Sequence, residues 1–337
     1  MTGHRRALFL FSLAVSLILI VWAPVVAAAP PEPPGSIPVI FDTDIGDDID
    51  DTWALAMLLK SPRLDVRMIT TDYGNTVYRA KLVARLLEIA GRTDIPIGIG
   101  IQENENEGPQ AEWVSDYDLE EYGGVVREDG VQALIDTVMA SKETITLIAV
   151  GPPPSLAAAL EREPRIASRL KLSGMYGSIH RGYGDAPEPS PEWNVRANVA
   201  AARTLVAADW AGAISTPLDT CGVVQLEGER YARIRESKDP LLRALMENYR
   251  IWCPLTQWCA HDAGQVELRS STLFDTVAVY LAEERDLVTT ETLGVRVTDE
   301  GMTVPDDSRP ALDWATGWKD LDRFEELLTD RLAGDDP

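Results

Sequence analysis

The sequence predicts an α/β protein with a mostly parallel central sheet, helices on both of its faces and long loops over the carboxyl edge of the strands, a Rossmann-like arrangement. Three observations carry that expectation. Apolar runs rich in β-branched residues alternate with segments of helical period. The helical segments are about ten residues or longer, as a parallel crossover requires. The strand runs are rich in apolar residues, as strands covered on both faces are.

Residues 38–41 read as the first strand and 52–60 as the helix behind it. The beat continues with a strand over 64–71 and a helix over 77–90, whose Leu82, Leu86 and Leu87 share one face. A strand over 97–101, a helix over 131–141, a strand over 144–150, a helix over 155–163, a strand over 170–175 and a helix over 195–208 follow. Ligands of such sheets bind beyond the carboxyl ends of the strands. The segments 102–129, acidic and aromatic, and 178–191, rich in Gly and Pro, read as long loops over that edge. The last third changes character, with helices over 240–258 and 272–284 and a strand pair around 294–304. No internal repeat or linker divides residues 30–337, which read as one domain.

The N-terminus reads as an address. His4, Arg5 and Arg6 precede an apolar run from Ala7 to Trp22, and Ala27, Ala28 and Ala29 supply the small residues of a cleavage site. Residues 1–29 are therefore expected to be a secretory signal peptide cleaved near Ala29, leaving an exported chain, periplasmic or extracellular, without stable membrane association. Export permits disulfides, and Cys253 and Cys259 could pair if the chain turns at Pro254. With 31 Lys and Arg against 54 Asp and Glu, the formal charge is −23. That balance excludes nucleic acid as a partner, since phosphates select clustered cations.

Directly behind the first strand, residues 42–51 contain six Asp: Asp42, Asp44, Asp47, Asp48, Asp50 and Asp51. Carboxylates packed between a buried strand and a helix start repel one another unless a cation neutralises them. Oxygen donors without nearby Cys or His select Ca²⁺ or Mg²⁺ over zinc. Capping accounts for some of them, since Asp50 and Asp51 fall in the first turn of the following helix.

Asp42-Thr43-Asp44-Ile45-Gly46, followed by Asp50-Asp51 and Ala54-Leu55, resembles the N-terminal signature of the calcium-dependent nucleoside N-ribohydrolases, the inosine-uridine-preferring family. Four further segments match in order: Asn75 after the second strand, Gly151 with the carbonyl of Val150 before it, Glu192-Trp193-Asn194, and the distant Asp275. The resemblance implies a catalytic domain over 30–337 that hydrolyses the N-glycosidic bond of ribonucleosides or a related N-riboside with a calcium-bound water. It implies Ca²⁺ ligands Asp44, Asp51, Val150 and Asp275, with Asp48 a rival, and Asp44 as the base. Asp50, Asn75, Glu192, Trp193 and Asn194 would bind the substrate, and the assembly would be a homodimer or homotetramer.

The departures matter. Two extra residues lie between Gly46 and the Asp pair. Phe274 stands where members of the family carry a histidine that protonates the leaving base; His180 and His261 are candidates to replace it. Trp193, Tyr183, Tyr117 and Trp113 are candidates to stack on a base. Two other readings stay open at this point. One is a non-catalytic exported ribose- or nucleoside-binding relative. The other is a Mg-dependent phosphatase that uses Asp42 as nucleophile, against which Gly46 and the scarcity of lysines argue.

Overall fold

A computed structural model describes residues 35–334; the expected signal peptide, 1–29, lies outside the described residues. Strands β1 (Ile37–Thr43), β2 (Leu64–Thr71), β3 (Ile97–Ile99), β4 (Val126–Arg127), β5 (Ile145–Ala149), β6 (Leu170–Met175), β7 (Gly212–Thr216), β8 (Val288–Val297), β9 (Thr303–Pro305) and β10 (Ala311–Trp318) form one sheet. Its spatial order is β4-β3-β2-β1-β5-β6-β7-β10-β8-β9. All pairs from β4 to β10 are parallel, and β8 and β9 close the far edge antiparallel. The chain runs outward from β1 to β4, then returns to lay β5 on the other side of β1. The strand order therefore reverses between β1 and β5, and a crevice opens there at the carboxyl ends.

The crossovers supply helices α1 (Asp50–Leu59), α2 (Thr76–Ile89), α3 (Gly130–Ala140), α4 (Pro154–Arg162), the short α5 (Trp193–Ala197) and α6 (Val199–Ala207). Beyond β7 come α7 (Leu218–Cys221), α8 (Gly228–Arg235), α9 (Pro240–Trp252), α10 (Phe274–Glu283) and α11 (Leu321–Ala333). Alternation along β1 sorts its side chains: Val39 and Phe41 enter the core shared with α1, α2, α9, α10 and α11, while Ile40 enters the one shared with α3, α4 and α6. Buried on both faces, the central strands carry the continuous apolar runs that betray them in sequence.

Several expectations shift. The helix expected over 195–208 is two, because Asn198 leaves helical geometry (φ −144°) and its side-chain oxygen caps α6 at Ala201 N–H, 3.1 Å. The helix expected to reach 258 stops at Trp252: Pro254 has no N–H to continue it, and a disulfide joins Cys253 to Cys259 with their Cα atoms 4.9 Å apart. The expected C-terminal strand pair is the β8/β9 hairpin, but the main partner of β8 is the distant β10. Among the described residues no helix is long and apolar enough to cross a membrane.

Candidate active site at the sheet switch point

The crevice between β1 and β5 is built by backbone approach. Val150 N–H donates to the Asp42 carbonyl at 2.9 Å and Asp72 N–H to the Thr43 carbonyl at 2.9 Å, so the ends of β1, β2 and β5 lie level. A side chain at Gly151 would place its Cβ 2.8 Å from both the amide nitrogen and Oδ1 of Asp44, so only glycine lets β5 close on that carboxylate. Gly46 turns the acidic loop at φ +105°, where Tyr78 and Leu82 leave no room for a Cβ. Tyr78 Oη donates to the Gly46 carbonyl (3.1 Å) and Trp252 Nε1 to the Asp47 carbonyl (3.0 Å), pinning the lengthened loop from two helices.

Three carboxylates meet on the floor. Asp50 and Asp51 open α1 and Asp275 lies in the first turn of α10, and the two helices pack with their N-termini together. All three are buried, and one oxygen from each lies within 4.8 Å of the others. Asp50 Oδ2 also accepts from the Asp275 amide at 3.3 Å, and Thr43 Oγ1 donates to Asp51. Burial first, then repulsion from neighbouring acids of the loop, drives each of the three well above the usual carboxylate range. Arg79, buried behind the loop, donates to the carbonyls of Asp44, Ile45 and Tyr73 and to none of the three acids. An all-oxygen donor set of net negative charge at two helix N-termini fits a hard divalent cation.

Above the floor opens a cavity of about 830 Å³, within the range of small-molecule sites. Asp44, Asp48, Val150, Glu192, Trp193 and Asn194 all line it. Glu192 is buried and holds the N–H groups of Gly177 (3.0 Å), Asn194 (2.7 Å) and Val195 (3.1 Å), which caps α5 and pins the segment. Asn194 Nδ2 donates to the Val150 carbonyl at 2.9 Å and to that of Met175 at 3.1 Å. Trp193 is 41% exposed in the wall, its ring under the Arg196 guanidinium at 5.3 Å. Tyr183, Phe274 and Trp258 line it as well.

The structure brings some of the predicted residues together and sets others apart. Asp50, expected on the sugar, also stands in the carboxylate trio. Asp44 lines the cavity outside that tight trio, near enough for its charge to raise all three. Asp48 Oδ1 accepts from the next backbone amide at 2.6 Å, and the carboxyl stands at the cavity wall. Asn75 does not line the cavity: its oxygen caps α2 at Tyr78 N–H, 3.0 Å. Trp113 is buried against Arg85 and Glu247, and Tyr117 packs at the edge of the α2 core, so neither can reach a base. His180 faces Glu291 at 2.8 Å, away from the cavity, and the side chain of His261 lies outside the described residues. Asp42 is fully buried behind the floor, accepting from Thr70 Oγ1, so it cannot serve as a phosphatase nucleophile.

Sequence reasoning missed Arg196, Glu107 and Trp258 in the lining and the Asp72–Ser155 contact behind it. Asp72 is fully buried and accepts from both Ser155 N–H (3.0 Å) and Ser155 Oγ (2.6 Å), tying the β2 and β5 turns together. An Asp ending an apolar strand was the available signal.

Burial raises Asp44, Asp72 and Glu192 each to about 7. A carboxyl raised in the folded chain favours folding while protonated, and that advantage disappears as pH climbs from the ordinary carboxylate range through about 7. The Tm of protein stripped of metal is therefore expected to fall between about pH 5 and about pH 8, and a divalent cation to restore it at the upper end. Thermal melts with and without chelator check this; a stripped protein whose Tm is flat or rises with pH would contradict it.

A doubly wound α/β sheet with an acidic, cation-fitting floor and a small-molecule cavity at its switch point defines a candidate cation-assisted small-molecule site. The sequence profile of the inosine-uridine preferring nucleoside hydrolases matches residues 39–326, and the chain belongs to that family. It is thereby an N-glycosyl hydrolase of the ribonucleoside class. The pyrimidine-specific ribonucleoside hydrolase RihA of Citrobacter koseri is 27% identical over 328 residues, covering 88% of this chain and 98% of that protein. A probable uridine nucleosidase 2 of Arabidopsis thaliana is 30% identical over 169 residues, 47% of this chain and 52% of the other. Among solved structures, a plant nucleoside hydrolase superposes with a TM-score of 0.73 at 23% identity, over 88% of this chain and 99% of its own. A purine-preferring ribonucleoside hydrolase from Gardnerella vaginalis gives 0.72 at 21%, over 88% and 98%. At such identities these two likenesses speak for the fold.

Proposed function

We propose that this is an exported, calcium-dependent hydrolase that splits ribonucleosides into ribose and free base. The observation that carries the reading is the convergence of the adjacent Asp50 and Asp51 with the distant Asp275, within 4.8 Å on the floor of a small-molecule cavity. Asp50, Asp51 and Asp275 would hold the ion, with Asp44 and the second lone pair of the Val150 carbonyl beside them. When bound, Ca²⁺ supplies the positive charge that gathers sugar hydroxyls at the floor.

The chain's own groups do the rest. Water adds to C1′ as the C1′–N bond breaks, the bonding pair leaves with the base nitrogen, and Asp44 accepts the water proton. A carboxylate that lines the cavity beside the trio is placed for that transfer, and the neighbouring acids favour the cationic character that builds on the ribosyl ring. Glu192 and Asn194 are positioned to fix the sugar, their segment locked by the hydrogen bonds that cap α5. The names borne by the RihA and uridine nucleosidase relatives support ribonucleosides as the substrates. Purified protein is expected to release base from pyrimidine or purine ribonucleosides, to lose that activity in chelator and to regain it with calcium. Turnover that persists in chelator would refute the metal role.

Export is supported by the leader sequence and by the Cys253–Cys259 bridge, which is at home in an oxidising compartment. Protein recovered from outside the cytoplasm is expected to begin at Pro30 by mass spectrometry; a chain retaining Met1 would contradict it. Assembly as a dimer or tetramer remains part of the proposal, to be read from light scattering of the same preparation.

A further inference from the structure

The mechanism leaves the far wall of the cavity without a task. That wall is aromatic: Tyr183 stacks on Trp258 (ring centroids 6.2 Å apart, planes at 29°) and meets Phe274 edge-on at 6.1 Å. Tyr183 is itself anchored, since its Oη accepts from the Trp193 amide at 2.8 Å. Trp258 differs. It is 63% exposed, as is its neighbour Leu255 at 64%, an unusual state for two large apolar side chains in a protein of such charge. Both line the cavity, together with Thr256 and Gln257 between them.

These four residues are the tip of the loop that the Cys253–Cys259 disulfide closes, and the two cysteines at its base are buried. The loop begins where α9 stops, and α9 also supplies Trp252, whose Nε1 holds the acidic loop at Asp47. One end of the bridge is thus tied to the floor of the site. Besides the bridge, the indole is kept over the cavity by the Tyr183 stack, one turn hydrogen bond from Cys259 N–H to the Thr256 carbonyl, and the packing of residues 253–255 against α9 and the turn that follows the loop.

Resting on the proposed hydrolase reading, we infer that Trp258 is a specificity-determining residue: its ring and that of Tyr183 form a stacking face for a flat heteroaromatic leaving group, and the disulfide preorganises that face. Affinity on this side comes from ring stacking, since Phe274 offers neither charge nor proton. The ribose end is held by the floor carboxylates, none of which belongs to the loop.

The test is a split between affinity and rate. Trp258→Ala is expected to raise KM for uridine and inosine roughly ten-fold while kcat changes by less than about three-fold, and Trp258→Phe to recover most of the loss. Inhibition by free ribose should be unchanged in both. Reducing the folded wild-type protein, or replacing Cys253 and Cys259 by Ser together, is expected to raise KM in the same direction, with little further effect on Trp258→Ala. Circular dichroism of the reduced protein shows that the fold persists. An unchanged KM in Trp258→Ala, a KM insensitive to the disulfide, or equal losses of ribose and nucleoside binding would overturn the inference. Should the wild type hydrolyse no riboside, the proposed function falls, and binding of the free base by wild type and Trp258→Ala, followed by calorimetry, still decides this one: equal affinities reject it.

Discussion

Asp275→Ala is expected to lower nucleoside turnover by at least roughly 10³-fold and to abolish the calcium-dependent rise in Tm. Asp275 brings the one carboxylate of the floor that does not come from the acidic loop, and its backbone amide already holds Asp50. Removing it leaves two acids on one helix turn, too few oxygens to enclose a hard cation that takes six to eight ligands. The same change relieves repulsion in protein stripped of metal, because Asp275 is held above the usual carboxylate range by burial and then by the charges of Asp50 and Asp51. The stripped variant should therefore melt above stripped wild type while gaining nothing from added calcium. Thermal melts across a calcium titration, read beside a nucleoside assay, separate the two effects. Near-wild-type activity in this variant would show that the site lies elsewhere.

Asp44→Asn is the second large effect, and its pattern is different. Its carboxyl stands against Gly151 at the switch point, outside the tight trio, so the isosteric amide keeps the packing and leaves Asp50, Asp51 and Asp275 in place. Turnover is expected to drop by roughly 10²–10⁴-fold, the usual size of a lost general base, while most of the calcium-dependent Tm rise survives. Loss of both activity and the calcium response would make Asp44 chiefly a ligand. Retention of both would remove it from the mechanism.

Much of the scaffold was legible. The spans of β2 and β6 match their sequence expectation residue for residue, because buried Leu64, Val66, Met68 and Ile69 in the first and Leu170, Leu172 and Met175 in the second mark the runs, while Asp65, Arg67 and Lys171 fall at their less buried positions. β1 runs two residues beyond the apolar stretch, taking in Asp42 and Thr43, where Thr70 on β2 donates to one Asp42 oxygen and Asp51 on α1 accepts from the Thr43 hydroxyl. β7 and β10 were invisible: Gly212 and Ser215 dilute the first, and polar Asp313 and Thr316 interrupt the second, each sheltered by its neighbours.

The site divides along the same line. The amino-acid order alone determined that a parallel sheet ends in a dense run of acids, that Gly151, Glu192 and Asn194 follow later strands, and that Asp275 opens a distant helix, since periodicity and turn chemistry are local properties of the chain. Only the tertiary structure decided that Asp50 joins the trio while Asn75 caps a helix, that Trp113 and His180 face elsewhere, and that a disulfide loop carries Trp258 to the cavity. Those outcomes depend on which way a side chain points once α1 has packed on α10 and α9 has come to rest over the acidic loop. Contacts between segments some 200 residues apart leave no mark on the local pattern of either one.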